Sequence, residues 1–184
     1  MGPKKPMIHD RAVKREIKNV QIREATLSDL PTLVSHRRKM FVAIGSFSTA
    51  DLAKGDKTYR AWIRKLMVAG EATAFIAETA SRRAIGSGAV FLREYDPAPG
   101  AGVSRYPHII SMFTEKPYRG QGIATRILEK LVGWARSGDY PIVTLSPGTM
   151  EVIRLYKRSG FQRGWLMRMR LKDRPPRPRR RSTR

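Results

Sequence analysis

The run Tyr118-Arg119-Gly120-Gln121-Gly122-Ile123-Ala124-Thr125 has the residue types and spacing of a turn that holds phosphate. It follows a short apolar segment, Ile109 to Phe113, and leads into a long amphipathic stretch. Glycines at 120 and 122 let the backbone approach a ligand without a Cβ in the way. The first N–H groups of the helix that follows have no partners within it, and the helix dipole adds positive potential at that end. Arg119 adds a fixed positive charge, so the turn suits a pyrophosphate. Two familiar phosphate motifs do not fit. There is no Gly-Lys-Ser/Thr as in a P-loop, and Thr125 stands where Gly-x-Gly-x-x-Gly needs its third glycine.

Composition narrows the chemistry. The 184 residues suffice for one domain with its own core. The chain has no cysteine, which excludes disulfides, thiolate nucleophiles and cysteine-based zinc sites. His9, His36 and His108 are scattered without metal-ligand spacing, so no metal is expected. No window approaches the roughly 20 apolar residues of a membrane span. The N-terminus lacks the apolar core of a secretion signal, and a cytoplasmic location is the expectation.

The net charge is +22, of which residues 1–19 carry +4, residues 172–184 carry +6 and residues 20–171 carry +12. Such an excess favours polyanionic partners: nucleic acid, ribosomal particles, anionic membrane surfaces or anionic cofactors.

The elements that must position the turn follow from periodicity. Residues 1–19 read as a flexible basic arm. Val20 to Ala25 alternates as a strand, and Ser28-Asp29 opens a helix carrying Leu30, Leu33, Val34, Phe41 and Ile44 up to Gly45. A second helix is predicted over Thr58 to Ala69. Thr73 to Thr79 and Ala84 to Tyr95 form a hairpin around Ser81-Arg82-Arg83, and Asp96 to Pro107 is a Pro/Gly-rich loop. His108 to Thr114 is a strand. Gly122 to Ser137 is a helix with Ile123, Ile127, Leu128, Leu131, Val132 and Ala135 on one face. Pro141 to Leu145 is a short strand, Met150 to Ser159 a helix closed by Gly160, and Phe161 to Leu171 a last alternating strand. Residues 172–184, rich in Pro and Arg, cannot build a core and are expected to be a disordered basic tail. The order β-α-α-β-β-β-α-β-α-β is α/β with a mixed (α+β-like) sheet: an antiparallel first half, then a βαβ crossover.

Two segments together carry a family resemblance. Arg119, Gly122 and Ala124 stand as Arg-x-x-Gly-x-Ala, which resembles the acetyl-CoA pyrophosphate loop of the GNAT superfamily of N-acetyltransferases. Leu155-Tyr156-Lys157-Arg158-Ser159-Gly160-Phe161 resembles the Leu-Tyr-x-x-x-Gly-Phe signature near the end of many such enzymes. The resemblance spans Val20 to Leu171, leaving the arm and tail outside it.

The resemblance implies that the strands His108–Thr114 and Pro141–Leu145 splay apart. The pantetheine arm of acetyl-CoA, the cosubstrate, would then pair with backbone groups of Met112, Phe113 and Thr114. Its pyrophosphate would rest on Arg119, Gly120, Gln121, Gly122, Ile123, Ala124 and Thr125. Thr149 stands where many members carry an Asn that contacts the cofactor arm. Tyr156 matches the general acid that protonates the departing thiolate. A free tyrosine has a pKa near ~10, close to that of an alkylthiol, so the transfer is chemically sound.

Other positions leave alternatives open. Thr144 stands where some members carry a Glu base, so the group that deprotonates the amine is left among Glu94, Asp96, Glu115, His108 and relayed water. The resemblance implies an acceptor pocket on parts of Arg37–Ser48 and Tyr95–Tyr106, where Arg37-Arg38-Lys39 is either an attractor for an acidic acceptor or a solvated helix face. The implied activity is acetyl transfer to a primary amine of a small molecule or a protein, with a homodimer and nucleic-acid or ribosome contacts through the arm and tail as further partners. The competing reading is a scaffold that binds acetyl-CoA while its basic ends grip nucleic acid.

Overall fold

A computed structural model describes residues 19–45, 47–95 and 104–164. The expected arm, tail and second half of the last strand lie outside these residues, as does Asp96. The described elements are β1 (Gln21–Glu24), α1 (Leu30–Ile44), α2 (Thr49–Val68), β2 (Ala72–Glu78), β3 (Ala84–Glu94), β4 (Arg105–Thr114), α3 (Ile123–Ser137), β5 (Thr144–Leu145) and α4 (Met150–Arg158). They form one mixed sheet in the order β1-β2-β3-β4-β5, antiparallel through β4 and parallel between β4 and β5.

The helices cover both faces of the sheet. α3 lays Ile123, Ile127, Leu128 and Leu131 on one face against Ala77, Ile85, Val90 and Ile109. On the other face α1 and α2 supply Leu30, Leu33, Val34, Tyr59 and Ile63, which meet Ala72, Ala74, Ile76 and Ala89. The alternation of Ile76 with Ala77 and of Ala89 with Val90 sends successive side chains to opposite layers, as the period of a strand requires. At the open end of the sheet Arg23 ties β1 to its neighbours, donating to both Asp29 carboxylate oxygens at 2.7 and 2.8 Å and to Glu78 at 2.5 Å.

Four features differ from the sequence expectation. α2 begins at Thr49, nine residues before Thr58, because Ser48 and Asp51 form a capping box: Asp51 N donates to Ser48 Oγ at 3.1 Å, and Ser48 N donates to Asp51 Oδ2 at 3.3 Å. The first turns of α2 are largely exposed and carry little apolar periodicity. β4 begins at Arg105, inside the segment expected to be a loop, and Pro107 is paired opposite Leu92. The parallel strand is limited to Thr144–Leu145, and residues 161–164 are not strand.

The decisive feature is in β4. Its parallel ladder with β5 consists of His108↔Thr144 and Ile109↔Leu145 and then stops. On the other edge Ser87 pairs with Phe113 but Ala89 pairs with Ile110, so β4 holds one residue more than β3 across this span. This is a β-bulge, and Ser111 within it takes a φ of 55°. Facing the bulge, β3 has Gly88, where an added Cβ would lie 2.4 Å from Met112 Sδ and 2.9 Å from Leu131 Cδ1. Gly88 therefore lets the bulge and α3 close on the same spot.

Gly88→Ala should lower unfolding free energy by about 1–3 kcal/mol, the usual cost of overpacking a filled core, as read from urea denaturation. A stability equal to that of the parent chain would remove this role for Gly88.

Candidate active site

A cleft of about 1210 Å³ opens where β4 and β5 separate. One wall is the free edge of β4 from Ile110 to Thr114. The facing wall is Leu145, Ser146, Gly148 and Thr149 followed by Val152, Leu155 and Tyr156 of α4. At one end lie Arg119, Gly120, Gly122, Ile123, Ala124 and Thr125; at the other lie residues of α1 and α2 together with Phe91, Arg93 and His108. Helix α1 reaches across toward the facing wall, since a Cβ at Gly148 would come within 3.0 Å of Ile44 Cδ1. The cleft thus runs from the glycine turn, through the gap in the sheet, to a pocket under α1 and α2.

The glycine turn is built as its residues require. Gly120 and Gly122 have φ of 75° and 77°, the left-handed region that glycine enters without strain, and space above both is open. Gly122 caps α3, and Arg126 N donates to its carbonyl at 3.1 Å. Among the described residues, N–H groups 120–125 donate to no backbone carbonyl. Arg119 fastens the turn to the end of β4: its Nε donates to the Thr114 carbonyl at 2.9 Å. Tyr118 is fully buried beneath the turn.

Of the sequence-predicted residues, Met112, Phe113, Thr114, Arg119, Gly120, Gly122, Ile123, Ala124, Thr125, Thr149 and Tyr156 all border this one cleft. The Gln121 side chain is exposed and does not border it. Phe113 and Thr114 are buried, so what this part of β4 offers the cleft is its edge backbone. Tyr156 is buried on α4, against the Phe161 ring at 6.0 Å, and burial pushes its hydroxyl pKa above the usual value of 10. It is therefore protonated at neutral pH.

The candidate bases separate. Glu94 is exposed and does not border the cleft. Glu115 is ion-paired with Lys39 of α1 and lies outside the lining. His108 does border it. Its Nδ1 lies 2.8 Å from the Thr144 hydroxyl, which also lies 3.1 Å from the Tyr95 hydroxyl. Burial, helped by Arg93, lowers the His108 pKa to about 4, so the ring is neutral at physiological pH. Thr144, the position without a carboxylate, thus positions the imidazole. The carboxylates that border the cleft among the described residues are Asp51 and Glu151. His36 lies below the cleft floor, with Nδ1 2.9 Å from Ser87 Oγ and its ring 5.1 Å from Phe113; burial lowers its pKa to about 4 as well.

Two parts of the site had no signal in the sequence. The bulge at Ser111 arises from register, and nothing in Ile-Ile-Ser-Met-Phe marks it. The distinct fates of Arg37, Arg38 and Lys39 depend on tertiary partners. Arg38 pairs with Asp56 and Lys39 with Glu115, while Arg37 turns into the cleft.

A helix-covered mixed sheet whose parallel strands part around a glycine-capped turn defines an acyl-CoA transferase architecture. A family model described as the Acetyltransferase (GNAT) family matches residues 36–161, and the chain belongs to that family. It is an acyl-CoA N-acetyltransferase.

Solved structures agree. A GCN5-related N-acetyltransferase from Ralstonia eutropha JMP134 is 18% identical with a TM-score of 0.74, covering 83% of this chain and 99% of its own. A predicted acetyltransferase from Clostridium acetobutylicum, solved with acetyl-CoA, is 26% identical with a TM-score of 0.72, covering 82% and 96%. The aminoglycoside N-acetyltransferase AAC(6')-Iy, solved with CoA, is 17% identical with a TM-score of 0.64, covering 84% and 95%. No curated protein sequence matches the chain. Among the described residues no helix is long and apolar enough to cross a membrane, and no group of three His, Asp or Glu is arranged to hold a metal.

The two buried imidazoles set a pH dependence. Their folded pKa of about 4 lies below the 6.5 of an unfolded histidine, so below pH 6.5 the unfolded chain takes up protons that the folded chain refuses. Stability should be full above about pH 6.5 and fall as pH drops toward 4. Asp29, lowered from 3.8 to about 2, acts only at still lower pH. Urea midpoints across pH 4.5 to 7.5 should show this slope, with a shallower one in His36→Gln; a flat profile in the parent chain would contradict it.

Proposed function

We propose that this chain moves the acetyl group of acetyl-CoA to a primary amine by direct attack, with Tyr156 as general acid. The observation that carries the reading is the free β4 edge, Ile110 to Thr114, running inside one cleft from the open glycine turn toward Tyr156. Acetyl-CoA supplies an activated thioester, and every other task falls to the chain. Backbone N–H groups 120–125, including that of Gln121, hold the pyrophosphate with the charge of Arg119 beside them. Backbone groups of Met112, Phe113 and Thr114 take the place of a ladder partner for the pantetheine amides, and Thr149 borders the arm from the facing wall. A backbone N–H at the Ser111 bulge, turned out of the β3 ladder, is the donor for negative charge developing on the acetyl oxygen. Tyr156 hands its proton to the sulfur as the C–S bond breaks, and its raised pKa keeps that proton available.

The amine must arrive neutral. Five basic and two acidic side chains border the cleft, and a basic surround lowers an ammonium pKa. That field supports deprotonation without a dedicated carboxylate, the proton leaving through water. The acceptor is a small molecule or a protein amine. The basic arm and tail are proposed to contact nucleic acid or ribosomal surfaces in the cytoplasm, a role separate from the cleft.

Tyr156→Phe should cut kcat by about a hundredfold, within the range for loss of a general acid, while the acetyl-CoA Kd from calorimetry changes by less than about threefold. Unchanged turnover would remove Tyr156 from the mechanism. Gly122→Val, which places a branched side chain at positive φ over the turn, should weaken CoA binding at least about tenfold. Equal affinity in that variant would move the pyrophosphate elsewhere.

A further inference from the structure

We propose that Arg37 is the anion-binding residue of the acceptor pocket, so that the amine acetylated by this enzyme carries a carboxylate or a phosphate. This rests on the acetyltransferase reading of the cleft and names its substrate class.

The three consecutive cations of α1 have different surroundings. Arg38 is ion-paired with Asp56 and Lys39 with Glu115. Arg37 is half-buried and borders the cleft, with its guanidinium carbon 4.5 Å from the centre of the Phe41 ring and 4.4 Å from that of Tyr59. Two rings fix the plane of the guanidinium and leave its N–H edge as the part that can bind. Among the described residues no carbonyl or carboxylate accepts a hydrogen bond from it. Asp56, a carboxylate whose charge acts on Arg37, is already held by Arg38.

A desolvated, oriented and unpaired arginine is costly unless something completes it. The described side chains around it do not. Lys54 and Arg93 border the same end of the cleft, and among the described residues the carboxylate there, Asp51, is engaged by Ser48 at the start of α2. An incoming amine that bears an oxyanion offers the planar fork of Arg37 a bidentate partner. It also offsets the repulsion that this basic wall exerts on any cationic amine. A polycationic acceptor has no such compensation.

The test compares matched acceptors on the full chain. Glutamate and glycine are set against glutamine amide and glycinamide, O-phosphoethanolamine against ethanolamine, and spermidine serves as the polycation. Free thiol release gives kcat/KM, and calorimetry on CoA-loaded protein gives acceptor binding. The expected result is a preference of about tenfold or more for one anionic class over its uncharged partner, carried by KM. The carboxylate and phosphate pairs identify which anion is meant.

In Arg37→Met, which keeps the apolar stem, the preference should collapse to within about twofold, and Arg37→Lys should restore part of it. A preference absent in the parent chain, or retained in Arg37→Met, overturns the proposal. If Arg37→Met does not fold, Arg37→Gln takes its place with the same two outcomes. Anion-selective, CoA-dependent binding without turnover of any amine would uphold the anion site and contradict the acetyl-transfer reading. Turnover with no anion preference would do the reverse.

Discussion

Everything at the site follows from one interruption in a hydrogen-bond ladder. β4 and β5 pair at two positions and then part, leaving the β4 edge from Ile110 to Thr114, on the side away from β3, with no strand beside it among the described residues. Backbone N–H and C=O groups withdrawn from water inside a cleft are expensive unless a partner satisfies them. An elongated ligand with amides at strand spacing satisfies them as a missing strand would. In the proposed binding mode the same divergence gives the ligand its width and aims one of its ends at the start of α3, where the N–H groups of the glycine turn donate to no described backbone carbonyl.

The scaffold around this gap is firm where the gap is open. The α3 stripe is fully buried against β2 and β3, so the helix that the glycine turn opens cannot drift from the sheet. Arg119 pins the turn to the last carbonyl of β4. The bulge at Ser111 turns backbone groups out of the β3 ladder at the level where β5 leaves, and Gly88 makes room for it from the neighbouring strand. The positive φ of Ser111 is a local strain maintained by the surrounding layers, and in the proposed binding mode it falls at the reacting end of the ligand.

Much of this was legible in the residues. The α3 periodicity, the glycine turn and the hairpin around Ser81-Arg82-Arg83 each rest on local chemistry, and each recurs in the structure within a residue or two. Misreadings came from places where local pattern is silent. The first half of α2 is held by a capping box and carries few apolar positions, so a hydrophobic count started it too late. Pro107 argued for loop, yet it sits in β4, where its own missing N–H costs little at the strand's start. The sequence marked Arg37, Arg38 and Lys39 as one cluster, and only tertiary contacts separate two ion-paired side chains from one that turns inward. Thr144 read as a missing base; in three dimensions it is the hydroxyl that orients His108.

The central claim is that the open β4 edge and the glycine turn together clasp coenzyme A. Amide NMR on labelled protein titrated with acetyl-CoA tests it most directly. The account predicts large shifts at Met112 to Thr114 and at Gly120 to Thr125, with protection of the β4 amides from solvent exchange. Shifts confined to other parts of the chain, or none at saturating ligand, would contradict it.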